Sequence, residues 1–225
     1  FSLAVGGLGA LGPIIEAQFD LERLPAYQKL IRDEIETRPF AEIVRDVLEG
    51  SGDAILLSSN DLKAWKLQEV AFHDVASATN RSEFIDLHSH LHDREAAFQQ
   101  RERRFLADRQ LFLTDVRRIW VDFVVPIQYA ALLHSTFLEV FDSHGFQVFN
   151  AMVFDASAVA TAGPFPLLPF RQDGAHVSLG IYATVPIADV PHLTTRVGRI
   201  RDLVLSIGGR QYLHGQHPRT PCAKG

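Results

Sequence analysis

Ile119-Trp120-Val121-Asp122-Phe123-Val124-Val125-Pro126 opens the most legible half of the chain. The run is rich in β-branched and aromatic residues and Pro126 stops it, so Ile119–Val125 reads as a strand. Ile127–Phe141 follows as a helix, with Leu133, Phe137, Leu138 and Phe141 along one side and Gly145 as its stop. Phe146–Phe154 is apolar on both faces, which predicts a buried central strand. Phe165–Phe170 lies among Pro164, Pro166 and Pro169 and reads as an extended edge. His176–Val185 is another strand. Val190–Ile207 is an amphipathic helix through Leu193, Val197, Ile200, Leu203, Val204 and Ile207, stopped by Gly208-Gly209. Gln211–His214 is a last short strand. In order this is β-α-β-β-α-β with one extra strand in the middle. That is the split-βαβ or ferredoxin-like pattern, an α+β fold with an antiparallel sheet and two helices on one face.

Working outward, Phe1–Val5 reads as a strand running into a turn at Gly6–Gly12, and Ile14–Phe19 as a second short strand. Pro25–Glu36 carries Tyr27, Leu30, Ile31 and Glu34 at helical spacing, which predicts a helix. Pro39 opens another, with Phe40, Ile43, Val44, Val47 and Leu48 on one face and Gly50 at its end. Ala54–Ser58 and Trp65–His73 are strands around the turn Ser58-Ser59-Asn60-Asp61. Asp74–Ser82 reads as a loop. Asp93–Asp108 is a charged helix whose thin apolar stripe is Phe98, Phe105 and Leu106; Arg94, Arg101, Arg103 and Arg104 among acids, with Arg109 after it, suit a solvated face. No internal sequence repeat is visible.

Composition narrows the function classes. The 225 residues are 47% apolar and 22% charged, enough for one sizeable domain or two small ones. Cys222 is the single cysteine, which excludes an internal disulfide framework and a Cys-based zinc site. A formal charge of −5 leaves no basic footprint, so nucleic acid is not an expected partner. No apolar run approaches the roughly 18 residues that cross a bilayer, so no membrane partner is expected either. The opening Phe1-Ser2-Leu3-Ala4-Val5 lacks the charged start and cleavage site of a signal peptide.

Three motifs carry candidate chemistry. Gly7-Leu8-Gly9-Ala10-Leu11-Gly12 satisfies G-x-G-x-x-G after an apolar strand. A Rossmann unit needs a helix next and an acid about 20 residues on at a strand end. Here Pro13–Phe19 reads as another strand, and Asp33 and Glu34 fall inside a predicted helix, so a glycine turn between strands is the better account. Phe84-Ile85-Asp86-Leu87-His88-Ser89-His90 is an apolar strand ending in H-x-H. Two His at i and i+2 of a strand share a face and resemble the first metal-ligand pair of amidohydrolase barrels. That barrel needs a regular β/α alternation, which this chain lacks. A surface His cluster before the charged helix is favoured, and no metal is assigned. Gly208-Gly209-Arg210-Gln211-Tyr212-Leu213-His214-Gly215 puts Tyr212 and His214 on one face of a strand and Leu213 on the other. It reads either as a pocket wall or as an ordinary packed edge.

Four segments together resemble cytokinin-dehydrogenase-like flavoproteins of the vanillyl-alcohol-oxidase superfamily. Val5–Ala17 is similar to that family's G-G-L-G-x-x-G-x-I segment, Ile119–Pro126 to its W-L-N-L-F-V-P strand, Gly163–Phe170 to its G-P-x-L-x-Y-P segment, and Gln211-Tyr212-Leu213 to its Q-Y-L strand. They occur in the family's order. Pro13 and Glu16 depart from the family's apolar and Thr positions, and Leu24–Asp93 matches no part of it. The resemblance implies an FAD-dependent oxidoreductase that oxidises a small organic substrate by hydride transfer to flavin. It implies residues 1–20 as the end of an FAD-binding domain, 21–215 as the substrate or cap domain, and 216–225 as a tail. It further implies that the pyrophosphate loop and catalytic acid precede this stretch, so the catalytic residue is left unassigned. Gly7, Gly9, Gly12, Ile14 and Tyr212 are then the expected cofactor contacts, and Tyr212, Leu213 and His214 the expected substrate contacts. The alternative is a non-enzymatic α+β ligand-binding or dimerisation domain, with a homodimer paired through its sheets.

Overall fold

The computed structural model describes residues 27–50, 54–73, 84–141, 146–155 and 174–212. The expected elements at Phe1–Val5, Gly6–Gly12, Ile14–Phe19, Asp74–Ser82 and Phe165–Phe170 and the Gly145 stop lie outside the described residues. So do Gly7, Gly9, Gly12, Ile14, Leu213 and His214. In chain order the elements are β1 (Tyr27–Glu36), α1 (Phe40–Leu48), β2 (Ala54–Ser59), β3 (Trp65–His73), β4 (Phe84–Asp86), α2 (Leu87–Asp108), β5 (Val116–Pro126), α3 (Ala130–Val140), β6 (Phe146–Asp155), β7 (Ala175–Pro186), α4 (Val190–Ser206) and β8 (Arg210–Gln211). The chain is α+β, and its sheet is antiparallel, with strand order β4-β1-β3-β2-β6-β7-β5-β8.

Both halves of that sheet order their strands alike: fourth, first, third, second. β4-β1-β3-β2 comes from the first half and β8-β5-β7-β6 from the second. The two second strands meet, with Leu57 opposite Ala151, Ser58 opposite Asn150 and Ser59 opposite Phe149. A structural repeat is thus present where the sequence carries none.

The first face of the sheet holds the core. β5 turns Ile119, Val121, Phe123 and Val125 to it, and β7 turns Val177, Leu179, Ile181, Ala183 and Val185, all buried. Phe137 of α3 packs on Phe123 and Phe149, ring centroids 6.0 and 6.3 Å away. α1 adds Phe40, Ile43, Val44 and Val47, and α4 adds Val197, Ile200 and Val204. Removing these side chains from water is the main driving term for folding. Among the described residues the two helices expected of the second half, α3 and α4, lie on this face, and α1 from the first half joins them. Leu48, expected on the same face of α1, is 39% exposed.

Two further expectations are corrected. Pro25–Glu36 is not a helix: Tyr27–Glu36 is β1, laddered to β3 on one side and β4 on the other. A bulge between Leu30 and Arg32 inserts one residue, so the period of two slips there and mimics helical spacing. β6 is central in strand order but not buried on both faces, since Met152 is 52% exposed.

The β2–β3 turn is pinned to the core. Leu62 is a buried residue in the left-handed region (φ 63°), a conformation that costs a side chain about 1–2 kcal/mol. Its N–H donates to Ser59 Oγ at 2.9 Å, and its carbonyl lies 2.7 Å from His134 Nε2 of α3. The His134 ring stacks on Phe40, centroids 4.7 Å apart. Burial pushes the His134 pKa down, and the Leu62 carbonyl offsets part of that by favouring the charged donor. The fold therefore prefers neutral His134. Its contribution is complete above the ordinary histidine pKa, near 6.5, and is lost as pH falls through the lower folded value. Thermal melts from pH 8 to 5 are expected to show His134→Gln less stable than wild type at pH 8, with the gap closing on acidification. A gap independent of pH would contradict this.

Candidate functional site

The second face of the sheet carries the polar groups. Along β5 the second-face positions are Arg118, Trp120, Asp122 and Val124, alternating with the core positions. Along β7 they are His176, Ser178, Gly180, Tyr182 and Thr184. Strand register lines these up across the sheet. Asp122 lies opposite Gly180, Gly180 opposite Asn150, Asn150 opposite Ser58, Ser58 opposite Lys66, and Lys66 opposite Ile35. At the far end, Gln211 lies opposite Phe123, and the Tyr212 N–H donates to the Asp122 carbonyl at 2.9 Å. Tyr212 is therefore level with Asp122 and shares its face. One continuous row, Tyr212-Asp122-Gly180-Asn150-Ser58-Lys66-Ile35, starts at the residue after β8 and crosses six strands.

Gly180 is what lets the row pack. A Cβ there would stand 1.7 Å from Asp122 Oδ1 and 3.0 Å from Asn150 Oδ1. The Asp122 carboxylate thus lies across the bare Cα of β7 toward Asn150, and is only 7% exposed. In the adjoining row Trp120 faces Tyr182, rings 5.0 Å apart and 19° from parallel, and Val148 follows. Burial raises the Tyr182 phenol pKa, and the Asp122 charge raises it further. A phenol kept protonated beside a carboxylate is a donor for a polar ligand atom.

α2 covers one end of this face. Phe98 and Phe105 pack on Phe146 of β6, centroids 5.1 and 6.2 Å away, and Arg101 lies over the same ring at 5.2 Å. Between them Glu102 is 3% exposed. It accepts bonds from Arg118 Nε and Nη2, at 3.0 and 2.5 Å, and from the buried Thr184 hydroxyl. Burial drives its pKa up, but the Arg118 and Thr184 hydrogen bonds and the Arg118 charge outweigh that and hold it below the ordinary range. Arg101, Arg103, Arg104 and Arg109 are exposed, as a solvated face requires, and Glu102 is an exception within that run. Glu102→Gln keeps an acceptor for Thr184 and loses the charge. Because the Arg118 side chain is 66% exposed, solvent screens the pair, and the expected cost at neutral pH is about 1 kcal/mol. The depressed pKa means this difference is present above the ordinary carboxylate range and disappears as pH falls through the folded value. Denaturant melts at pH 7 and at pH 3 measure both.

A cleft of about 770 Å³ opens between α2 and the row, lined by Ile35, Ser58, Lys66, Phe98, Arg101, Asn150 and Tyr182 among others. That volume is within the roughly 300–1,000 Å³ of small-molecule sites. At its rim Ser59 and Asp61 are committed to their own turn. Ser59 Oγ donates to the Ala64 carbonyl at 2.7 Å, and Asp61 Oδ1 accepts from the Lys63 N–H at 2.9 Å. The Lys63 N–H, against some loss from burial, holds the Asp61 carboxyl below its ordinary pKa.

Of the residues singled out from sequence, Tyr212 is described and joins the row. Of the expected Gln211–His214 strand, Gln211 falls in β8, Tyr212 follows it, and Leu213 and His214 lie outside the described residues. His88 and His90 are corrected: both fall inside α2, where i and i+2 stand about 200° apart around the axis and share no face. Among the described residues no three His, Cys, Asp or Glu side chains group as a metal site, and no helix is long and apolar enough to cross a membrane. Asp122, Asn150, Gly180, Tyr182, Ser58, Lys66 and Arg101 were not assigned from sequence. The period-two alternation of His176–Thr184 against Val177–Val185 was the available signal for the β7 group. Glu102 had one too, since 98, 102 and 105 are helical neighbours. The chain matches no protein-family profile and no curated protein.

Proposed function

We propose that this chain is the substrate-domain portion of an FAD-dependent oxidoreductase acting on a small organic molecule. One observation carries the reading. Ile119–Pro126 and Gln211-Tyr212, two of the segments that resemble the flavoprotein family and are distant in sequence, lie side by side: Phe123 pairs with Gln211, and Tyr212 bonds to Asp122. The face they share suits a flat heterocycle with polar edges. Trp120 and Tyr182 form a stacked aromatic pair, and Asp122 and Tyr212 stand in the adjoining row. FAD, when bound, supplies the two-electron acceptor. The chain's own part is to bind and orient the substrate through Tyr182, Asn150 and Tyr212 and to keep the Tyr182 proton in place. The order β8-β5-β7-β6 with β-α-β-β-α-β connectivity supports a ferredoxin-like reading of the second half. Fold alone names no function.

The test is spectroscopic. The purified full-length protein is expected to show flavin absorbance that bleaches with substrate under anaerobic conditions. A colourless protein that takes up no FAD would sink the reading and favour the ligand-binding alternative. For the dimerisation form of that alternative, the β2–β6 pairing matters: the edge-to-edge contact that two such units make between chains is here made within one chain.

A further inference from the structure

We infer that the cleft between α2 and the second face binds a small organic carboxylate with a flat, apolar body. As an assignment of substrate class this rests on the substrate-domain reading above; as a binding site it does not.

The walls divide by chemistry. Phe98 and Ala97 from α2 and Val148, Tyr182 and Ile35 from the sheet give an apolar slot, with Tyr182 already stacked on Trp120 behind it. Flat rings pack well in such a slot. Two cations line the same space from opposite sides, Arg101 on α2 and Lys66 on β3. Ala97, Phe98 and Arg101 stand at i, i+1 and i+4, so one helix face delivers both the apolar and the charged contact. The single acid in the lining is Asp61, and its Oδ1 is turned into the Ser59–Ala64 turn by the Lys63 and Ala64 N–H groups. With that acid engaged in its own turn, Arg101 gives the cleft a preference for an anion.

Arg101 is prepared for that role. Its guanidinium is held over the Phe146 ring, 5.2 Å from the centroid, which Phe98 braces edge-on. A guanidinium held over a ring still has N–H groups to offer, and they match a carboxylate two-for-two. Ser58, beside Lys66 on the row, adds a hydroxyl on the sheet side.

Calorimetric titration with benzoate and with its neutral isostere benzamide tests the inference. The proteins are wild type, Arg101→Gln, Lys66→Gln and, as a control outside the cleft, Arg103→Gln. Lys66, Arg101 and Arg103 are all exposed, so the fold tolerates each change. Wild type is expected to bind benzoate at least about tenfold more tightly than benzamide, since charge-assisted pairs carry that preference. Arg101→Gln should erase the preference by weakening benzoate about tenfold, and Lys66→Gln should reduce it. Arg103→Gln should leave it intact. Equal binding of the two probes, no binding of either, or benzoate binding untouched by both cleft variants would overturn the inference. The visible spectrum of the same preparation separates the two readings. A yellow protein indifferent to benzoate removes the carboxylate site and leaves the flavin reading. A colourless protein with Arg101-dependent benzoate binding does the reverse.

Discussion

Gly209→Ala is expected to destabilise the protein by about 2–3 kcal/mol, the upper part of the range for overpacking a tight site. A Cβ at Gly209 would stand 2.6 Å from the Val124 carbonyl oxygen, 2.7 Å from Val204 Cγ1 and 2.8 Å from Val125 Cγ1. The first of these is backbone, and it belongs to β5, which is laddered to β7 from Val116 to Pro126. β5 cannot retreat, so the end of α4 must. That end is closed by two bonds around Gly208 (φ 81°): the Gly209 N–H to the Val204 carbonyl at 2.8 Å, and the Gly208 N–H to the Leu205 carbonyl at 3.3 Å. This is the Schellman closure, and it aims the chain into β8. Moving it strains the Phe123–Gln211 pair and the Tyr212–Asp122 bond, so the loss should reach the site as well as the melt. In a chain of 225 residues the cost corresponds to a Tm lowered by about 4–12 °C. Gly198→Ala is the internal control. It lies within α4, nothing stands within 4 Å of its Cβ position, and the change should stabilise by about 0.5–1 kcal/mol. Equal effects of the two substitutions would refute the steric account.

The elements that read correctly from sequence are those whose pattern is local. β3, β5, β7, α1, α3 and α4 each carry a clean period and a stop signal, and each falls within a few residues of its expected bounds. β1 failed because one bulged residue breaks its period. Glu102 was missed because an acid in a charged helix looks solvated until Thr184 and Arg118 are brought beneath it. The site was the least legible part for a similar reason. Ser58 and Lys66 are ordinary residues in their own strands; only register across β2, β3 and β6 puts them in line with Asn150. Glycine-rich segments drew attention because glycine is locally conspicuous. Gly180, the one that shapes the site, sits unannounced in a strand, and its reason is a side chain from the neighbouring strand.

That reason predicts a specific failure of additivity. Gly180→Ala puts a methyl where the Asp122 carboxylate lies, with Asn150 Oδ1 closing the other side. β7 is held between β5 and β6 along its length, so the backbone cannot yield and the carboxylate must leave. The expected cost is about 2–3 kcal/mol, combining overpacking with the displacement of a nearly buried charge. In an Asp122→Ala background the obstacle is already gone. The same Gly180→Ala change should then cost close to nothing, giving a coupling of about 2 kcal/mol in a double-mutant cycle. A glycine retained only for backbone freedom would give additive losses instead. Tyr182 reports the same event independently. Its phenol pKa is raised by burial and then by the Asp122 charge, so both Asp122→Ala and Gly180→Ala should lower it while leaving it above an exposed tyrosine. Ultraviolet titration of the tyrosines in the three variants and the wild type measures this. A Tyr182 pKa that stays put when Asp122 is removed would show that the carboxylate does not act on it, and the polar row would lose its claim to be one site.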